Sequence, residues 1–442
     1  MKADLELKPQ ESQRAALALY GGTPVRSTPL PLEFPGVHHM DEEEIEAAVR
    51  VLRSRSPFRF YGVDLQGEVE AFESEFKAFE GVSHCLALTS GTGALHTALA
   101  ALGVGPGQEV IVPAYMWVSV VAAVVNLGAI PVLADIDSTF CLDPVSVEEK
   151  ITPRTTGIVA VHMSGAPADI KAIAALARHH NLFLLEDCAQ CAGGSIDGRR
   201  VGTFGDAGIF SFQMNKNMTS GEGGAFVTNN EYLYQRAFAV HDTGYARDAS
   251  GRAIYNRLEY CLWGRGYRID EMRAAVLRVQ LRKLPQITGK MRASKYRIRE
   301  TLRRFPGVGL RRIIDERGDT GSFLLTTFAT PELAREINSA LRAEGLITWS
   351  QGINDIVMTS WGLHLYYNIP SLVHRTGIDR RNAPWSLAEN KDSHASYDKG
   401  TCPNADSLFE RTNLLAIPSN LTARDEDDII AAFDKVLTAL AV

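Results

Sequence analysis

Between roughly residues 64 and 290 the chain repeats one pattern: a short run that is apolar at almost every position, then a longer stretch with helical spacing. The runs fall at 85–88, 109–112, 130–134, 157–161 and 182–185. Residues 94–102 and 118–127 read as helices, and Ile170, Ile173 and Leu176 fall on one helical face after the fourth run. Strands without polar alternation are buried on both faces, and intervening helices supply the cover. The pattern therefore predicts an α/β fold built on a mainly parallel sheet. Ligands of such sheets sit beyond the carboxyl ends of the strands. The polar motifs of this chain follow Leu88, Val112, Val161 and Leu185, where those ends are expected.

The rhythm breaks at 207–228. Two short apolar pieces, 208–212 and 225–228, bracket a polar loop and read as hairpin-related strands; helices are expected at 231–240 and 270–284. From about 291 the pattern becomes an Arg-bearing helix, an apolar strand at 322–328 and a helix at 332–344. A polar, aromatic stretch follows at 349–399, then an amphipathic helix at 425–440. The organisation this implies is an N-terminal arm (1–60), a large domain (61–290) and a smaller C-terminal α+β domain (291–442).

Bulk properties narrow the partners. The 442 residues are 45% hydrophobic and 22% charged, ordinary values for a globular chain with a sizeable core. The net charge of −6 and the lack of a Lys/Arg-rich run argue against nucleic acid or an anionic membrane as partner. No stretch reaches the ~18 apolar residues of a membrane span, and the first residues lack an apolar signal core. Six scattered cysteines fit a reducing cytoplasm. Cys188-Ala-Gln-Cys191 has no second pair or nearby His pair to complete a metal set, so it reads as packing and no metal is expected. Gly103-Val-Gly-Pro-Gly107 follows a helix and precedes a strand, the reverse of the dinucleotide-binding order, and reads as a turn.

Two residues give the loop at 207–228 its meaning. Asp187 ends an apolar strand in Leu-Leu-Glu-Asp187-Cys-Ala-Gln190, and Lys216 lies among small and hydroxylated residues in Phe210-Ser-Phe-Gln-Met-Asn-Lys216. Pyridoxal 5′-phosphate (PLP) requires such a pair: an amine that forms a Schiff base with its aldehyde, and a carboxylate that keeps its ring nitrogen protonated. Thr89-Ser-Gly91-Thr92-Gly93 ends a strand and opens a helix, which suits either a phosphate cup or an ordinary N-cap. Ser211, five residues before Lys216, could donate its hydroxyl to the same phosphate or be an ordinary strand serine. Trp117, in Pro113-Ala-Tyr115-Met-Trp117, could stack on the ring or pack in the core. Gln190 could approach the cofactor hydroxyl or face solvent.

Taken in order, these pieces resemble the DegT/DnrJ/EryC1/StrS family of sugar and cyclitol aminotransferases, within the fold-type I PLP enzymes. The matching residues are Ser90-Gly-Thr92, Val112-Pro113, Glu186-Asp187-Cys-Ala-Gln190, Gly202-Thr-Phe-Gly-Asp206, Phe210-Ser-Phe212, Lys216, Gly221-Glu-Gly-Gly224 and Gly266-Tyr-Arg268 with Glu271. The resemblance implies a seven-stranded, mainly parallel sheet and a homodimer with its active site at the subunit interface. It makes Lys216 the Schiff-base lysine, Asp187 the partner of the ring nitrogen and Gln190 the neighbour of the cofactor hydroxyl. Gly91, Thr92 and Ser211 would hold the phosphate, and Trp117 would stack on the ring. Two positions depart from the family pattern: Gly266, where an Asn often reaches the partner subunit's phosphate, and Ser164, where an aromatic is common.

The implied reaction moves an amino group from glutamine or glutamate to a keto sugar or keto cyclitol, as in aminosugar, polysaccharide or antibiotic biosynthesis. A sugar dehydratase is the alternative within the same chemistry, but related dehydratases carry histidine at the lysine position. A non-catalytic PLP-binding regulator is another, although no DNA-binding helix or basic patch is appended. The aromatic stretch 349–399, with Trp349, Trp361, Tyr366, Tyr367, His374 and Trp385, suits a substrate lid or the core of the second domain equally. Arg252, Arg257 and Arg265 are candidates for contacting a nucleotide on the acceptor.

Overall fold

The protein, as a computed structural model, is described over residues 13–248, 251–348 and 355–442. Seven strands form the large sheet: β1 (His84–Leu88), β2 (Glu109–Pro113), β3 (Ile130–Ala134), β4 (Thr155–Val161), β5 (Phe183–Asp187), β6 (Ala207–Ser211) and β7 (Gly224–Thr228). Their order across the sheet is β1-β7-β6-β5-β4-β2-β3. Only β7 runs antiparallel to its neighbours, pairing Phe210 with Ala225 on one side and Leu86 with Phe226 on the other. The expected mainly parallel sheet and the expected pairing of the pieces around the lysine loop are both present.

Both faces of this sheet are covered, which is why its strands carry no polar alternation. Along β1, Leu86 and Leu88 enter one core cluster and Cys85 and Ala87 the other; along β6 and β7, Ile209 and Phe226 are separated in the same way from Phe210, Ala225 and Val227. Helix α1 (Glu42–Ser54) lies outside the sheet, whereas α2 (Glu68–Glu80) covers one face. There Phe76 meets Phe210 at 5.0 Å and Phe212 at 5.6 Å between ring centroids. The opposite face is packed by α3 (Gly91–Ala101), whose Ala94, Leu95, Ala98 and Leu99 are buried. No described helix is long and apolar enough to cross a membrane.

A 32-residue helix, α4 (Glu271–Leu302), passes the expected end at 284 and carries Pro285 in its interior. Proline removes one backbone donor and usually ends a helix. Here Leu284, Ile287, Thr288 and Met291 are all buried around it, and tertiary packing outweighs local propensity. The expected domain boundary at 290/291 thus falls within one helix. The first half of α4 packs on the large sheet. Its second half joins a second core with strands β8 (Gly309–Leu310), β9 (Phe323–Thr327), β10 (Asp355–Val357) and β11 (Thr412–Ala416), ordered β8-β9-β11-β10. Leu17 and Leu30 are buried in that second core, and α1 packs Ala47 and Val51 against Ala275 and Val279 of α4.

The stretch after 355 does not fill the second core. Met358, Trp361, Leu365, Tyr366, Ile369, Leu372 and Tyr397 pack instead into the large-domain cluster, while Trp349 lies outside the described residues. Among the described residues this segment is mostly short turns and coil, held to the large domain by backbone bonds. Met116 N–H donates to His364 O at 3.0 Å and Tyr366 N–H to Ala114 O at 3.3 Å.

One buried carboxyl carries a stability signature. Glu80, the last residue of α2, is 3% exposed, and neither carboxyl oxygen has a hydrogen-bond partner among the described residues. Burial pushes its pKa from 4.5 up to about 8, against the opposing charge of Arg200. A folded pKa above the unfolded one means stability that is intact below pH 4.5 and lost as pH rises through about 8. The full loss is at most about 5 kcal/mol. Denaturant titrations of wild type and Glu80→Gln at pH 6 and pH 9 are expected to show a steeper fall for wild type; equal falls would contradict this.

Candidate active site

The carboxyl ends of β1, β5 and β6 converge. Ser90 caps α3, its Oγ accepting the Gly93 N–H at 3.0 Å, and the first backbone N–H groups of the helix are left without intrahelical acceptors. Gly91 is required by close approach: a Cβ there would lie 2.7 Å from Ser211 Cβ and 3.0 Å from Ser211 Oγ. A bare backbone edge thereby faces a serine hydroxyl at the end of β6. Thr92 Oγ1 lies 2.7 Å from Ser119 Oγ, which begins the helix Ser119–Asn126. The arrangement is a cradle of donors suited to a phosphate.

Asp187 ends β5 and is 3% exposed. Its Oδ1 accepts the Ala189 N–H at 2.9 Å, and its Oδ2 has no protein partner among the described residues. Burial raises its pKa; the Ala189 N–H, Lys216 and His162 act in the opposite direction. A cationic N–H delivered to Oδ2 would relieve that burial penalty. Lys216 sits on the loop between β6 and β7, its N–H bonded to Gln213 O at 3.0 Å and its carbonyl receiving the Gly36 N–H at 3.1 Å. Thr219 Oγ1, bonded to Phe212 O at 3.0 Å, ties the loop's far side down. Nζ has no hydrogen bond within the described protein. Burial lowers the lysine's pKa, with Asp187 and Glu222 opposing, which moves the amine toward its nucleophilic form.

Beneath Asp187, His162, Glu186 and Cys188 place ligand-type atoms within 4.8 Å of one another. Ala168 N–H donates to His162 Nδ1 at 3.0 Å, so Nε2 carries the hydrogen and donates to Glu186 at 3.0 Å. Glu186 also accepts the N–H groups of Gly202, Phe204 and Gly205 at 2.6–2.8 Å. The cluster is a fully engaged hydrogen-bond hub that fixes the 202–205 turn against β5. Cys188 and Cys191 are both wholly buried, as packing residues would be.

Lys216, Asp187, Gln190, Ser211, Gly91, Thr92 and Trp117 line one cavity of about 360 Å³. The same wall includes Ser119, Met163, Gln213, Asn215, Glu222 and His364, which the sequence reading did not assign to the site. Glu222 had a local signal, the Gly221-Glu-Gly-Gly224 motif. His364 had none, because it reaches the cavity from a stretch without periodicity. Ser164 adopts φ +51°, with its Oγ 2.8 Å from Tyr115 Oη and its N–H bonded to Gln190 Oε1 at 3.0 Å. Gly266 adopts φ +69°, and Arg252, Arg257 and Arg265 are not in the cavity wall.

The residues present fit PLP: an amine and a carboxylate oxygen in one cavity, neither hydrogen-bonded to protein among the described residues, beside a glycine-cut cradle of neutral donors. Comparison with known proteins agrees. The fold is that of the fold-type I PLP enzymes. A solved 3-amino-5-hydroxybenzoic acid synthase superposes with a TM-score of 0.74 at 30% identity, over 91% of this chain and 97% of that one. The profile of the DegT/DnrJ/EryC1/StrS aminotransferase family matches residues 38–349, and the chain belongs to that family. It is 34% identical to the 3-amino-5-hydroxybenzoate synthase of Amycolatopsis mediterranei, over 85% of this chain and 90% of that protein. It is also 41% identical to the L-glutamine:2-deoxy-scyllo-inosose aminotransferase of Streptoalloteichus tenebrarius, over 61% of this chain and 64% of that protein. The match thus spans under two thirds of that aminotransferase's length.

Proposed function

We propose that the chain is a PLP-dependent aminotransferase that moves an amino group from L-glutamine or glutamate to a keto cyclitol or keto sugar. The observation that carries this reading is that Lys216 and Asp187 line one cavity, with neither Lys216 Nζ nor Asp187 Oδ2 hydrogen-bonded to protein among the described residues. PLP, when bound, supplies an electron sink for the carbanion formed at the substrate carbon that carries the amine. Asp187 would hold the proton on the ring nitrogen, and its burial would strengthen that ion pair. The cradle of Gly91, Thr92 and Ser211 takes the phosphate, and Trp117 covers the ring. Lys216 Nζ would form the Schiff base that anchors the cofactor and, as a free amine, would carry the proton to and from the reacting carbon as general base and acid.

The cavity wall favours a neutral, hydroxyl-rich acceptor. Among the described residues of the wall, Lys216 is the only Lys or Arg, and it is committed to the cofactor; hydroxyl and amide groups make up much of the rest. That suits a keto cyclitol better than a nucleotide-linked sugar, in keeping with the inosose-aminating relative.

A homodimer completes the reading. Tyr61, Val63, Tyr255, Leu258 and Trp263 are each more than 70% exposed, large apolar side chains that a second copy would cover. The biosynthetic role fits the cytoplasm. The test is the visible spectrum of the purified protein during titration with L-glutamine, then glutamate. The expected result is loss of the cofactor's visible band as its aminated form accumulates. No cofactor band after added PLP would overturn the reading.

A further inference from the structure

His364 lies in the short turn Gly362–His364, and its carbonyl is held by the Met116 N–H. The imidazole is stacked on Trp361, with ring centroids 4.4 Å apart and planes at 15°, and lies 4.8 Å from Trp117. Its two nitrogens are distinguished by their neighbours. Nδ1 is 2.9 Å from Trp361 O; a carbonyl can only accept, so Nδ1 carries the hydrogen. Nε2 therefore presents a lone pair, and Gln190 Nε2, a donor, is 3.3 Å away. The other end of that carboxamide, Oε1, accepts the Ser164 N–H.

Flipping the Gln190 amide would set oxygen against a lone pair and NH₂ against an N–H, so the carboxamide has one orientation. One of its two Nε2 hydrogens goes to His364. The other has no acceptor among the described residues, and Gln190 lines the cavity. We infer that His364 is a positioning residue: it holds the Gln190 carboxamide so that its second N–H is presented to the ring oxygen of bound PLP. The inference rests on the PLP reading above. Burial brings the pKa of His364 down to about 4, with Lys216 adding to the effect and the Trp361 carbonyl opposing it. The lone pair is therefore available at neutral and alkaline pH. Asp187, Lys216 and Glu222, the other titratable groups of the cavity wall, are left in place by substitutions at 190 or 364.

A hydrogen bond to the ring oxygen makes that oxygen less basic, so losing it raises the pH at which the visible band of bound PLP changes. The experiment is this pH titration on the full chain loaded with PLP. His364→Leu is expected to raise the midpoint by about half a unit to one unit, the equivalent of one ordinary hydrogen bond. Gln190→Leu should raise it at least as far, and the double variant no further than Gln190→Leu alone. His364→Gln, whose Oε1 can accept in place of the ring nitrogen, should keep the wild-type midpoint, which a purely packing role would not predict. If His364→Leu does not fold, His364→Asn, with an amide too short to reach Gln190, takes its place. A wild-type midpoint in these shortened or apolar variants, with Gln190→Leu shifted, overturns the role of His364 and leaves the PLP reading intact. An unshifted Gln190→Leu overturns the inference at Gln190 itself. No visible band in the wild-type protein overturns the PLP reading instead.

Discussion

Lys216→Ala is expected to abolish amino transfer while leaving the fold unchanged. General acid–base catalysis alone contributes about 10²–10⁴-fold, and in the proposed function the same amine also forms the covalent link to the cofactor, so a loss of at least ~10⁴-fold is expected. The side chain makes no hydrogen bond to the described protein, and its loop is held by the backbone bonds of Lys216 and Phe212 and by the Thr219 hydroxyl donating to the Phe212 carbonyl. Removing it therefore costs chemistry and little structure. The measurement is a single-turnover half-reaction with L-glutamine, followed by the cofactor spectrum, beside a thermal melt of both proteins. Normal turnover in the variant would refute the assignment of Lys216. The cradle at Gly91 and Ser211 is untouched, so PLP is expected to bind the variant without a covalent link.

Glu186→Ala has the largest expected effect on stability. Its carboxylate is wholly buried and accepts from three backbone N–H groups and from His162. Truncation leaves four donors unpaired where water does not reach. Each buried, unsatisfied group costs about 1–3 kcal/mol, and removing one member of a buried charged network typically costs about 3–5 kcal/mol. A loss of roughly that size in equilibrium denaturation is expected. A variant within about 1 kcal/mol of wild type would mean that the 202–205 turn does not depend on this hub. Because Glu186 and Asp187 are consecutive on β5, loosening the hub should also weaken PLP binding.

Much of this was legible because the information is local. Strands buried on both faces must be apolar throughout, so the runs at 85–88, 109–112, 130–134, 157–161 and 182–185 located the sheet to within a few residues. Ser90 is visible as a helix cap, and Gly91 as the position without a side chain beside it. What these residues could not convey is that Gly91 must be bare because Ser211 closes on it, a contact between segments 120 residues apart in sequence. Pro285 reads as a helix end and is carried through because both sides of it are buried.

The remaining gap lies in the stretch after 355. Its aromatic residues suited a lid or a core equally, since neither use imposes a period. Only the folded chain places Trp361, Leu365 and Tyr366 in the large-domain core and His364 on the cavity wall. The sequence by itself determined the sheet, the order of the polar motifs at its strand ends and the two chemically singular residues, Asp187 and Lys216. Tertiary structure decided that one carboxamide is gripped between Ser164 and His364, that Glu186 binds four donors, and which side chains close the cavity. The division is physical: periodicity and capping act between near neighbours, whereas a hydrogen bond between residues far apart in sequence leaves no pattern until the chain has folded.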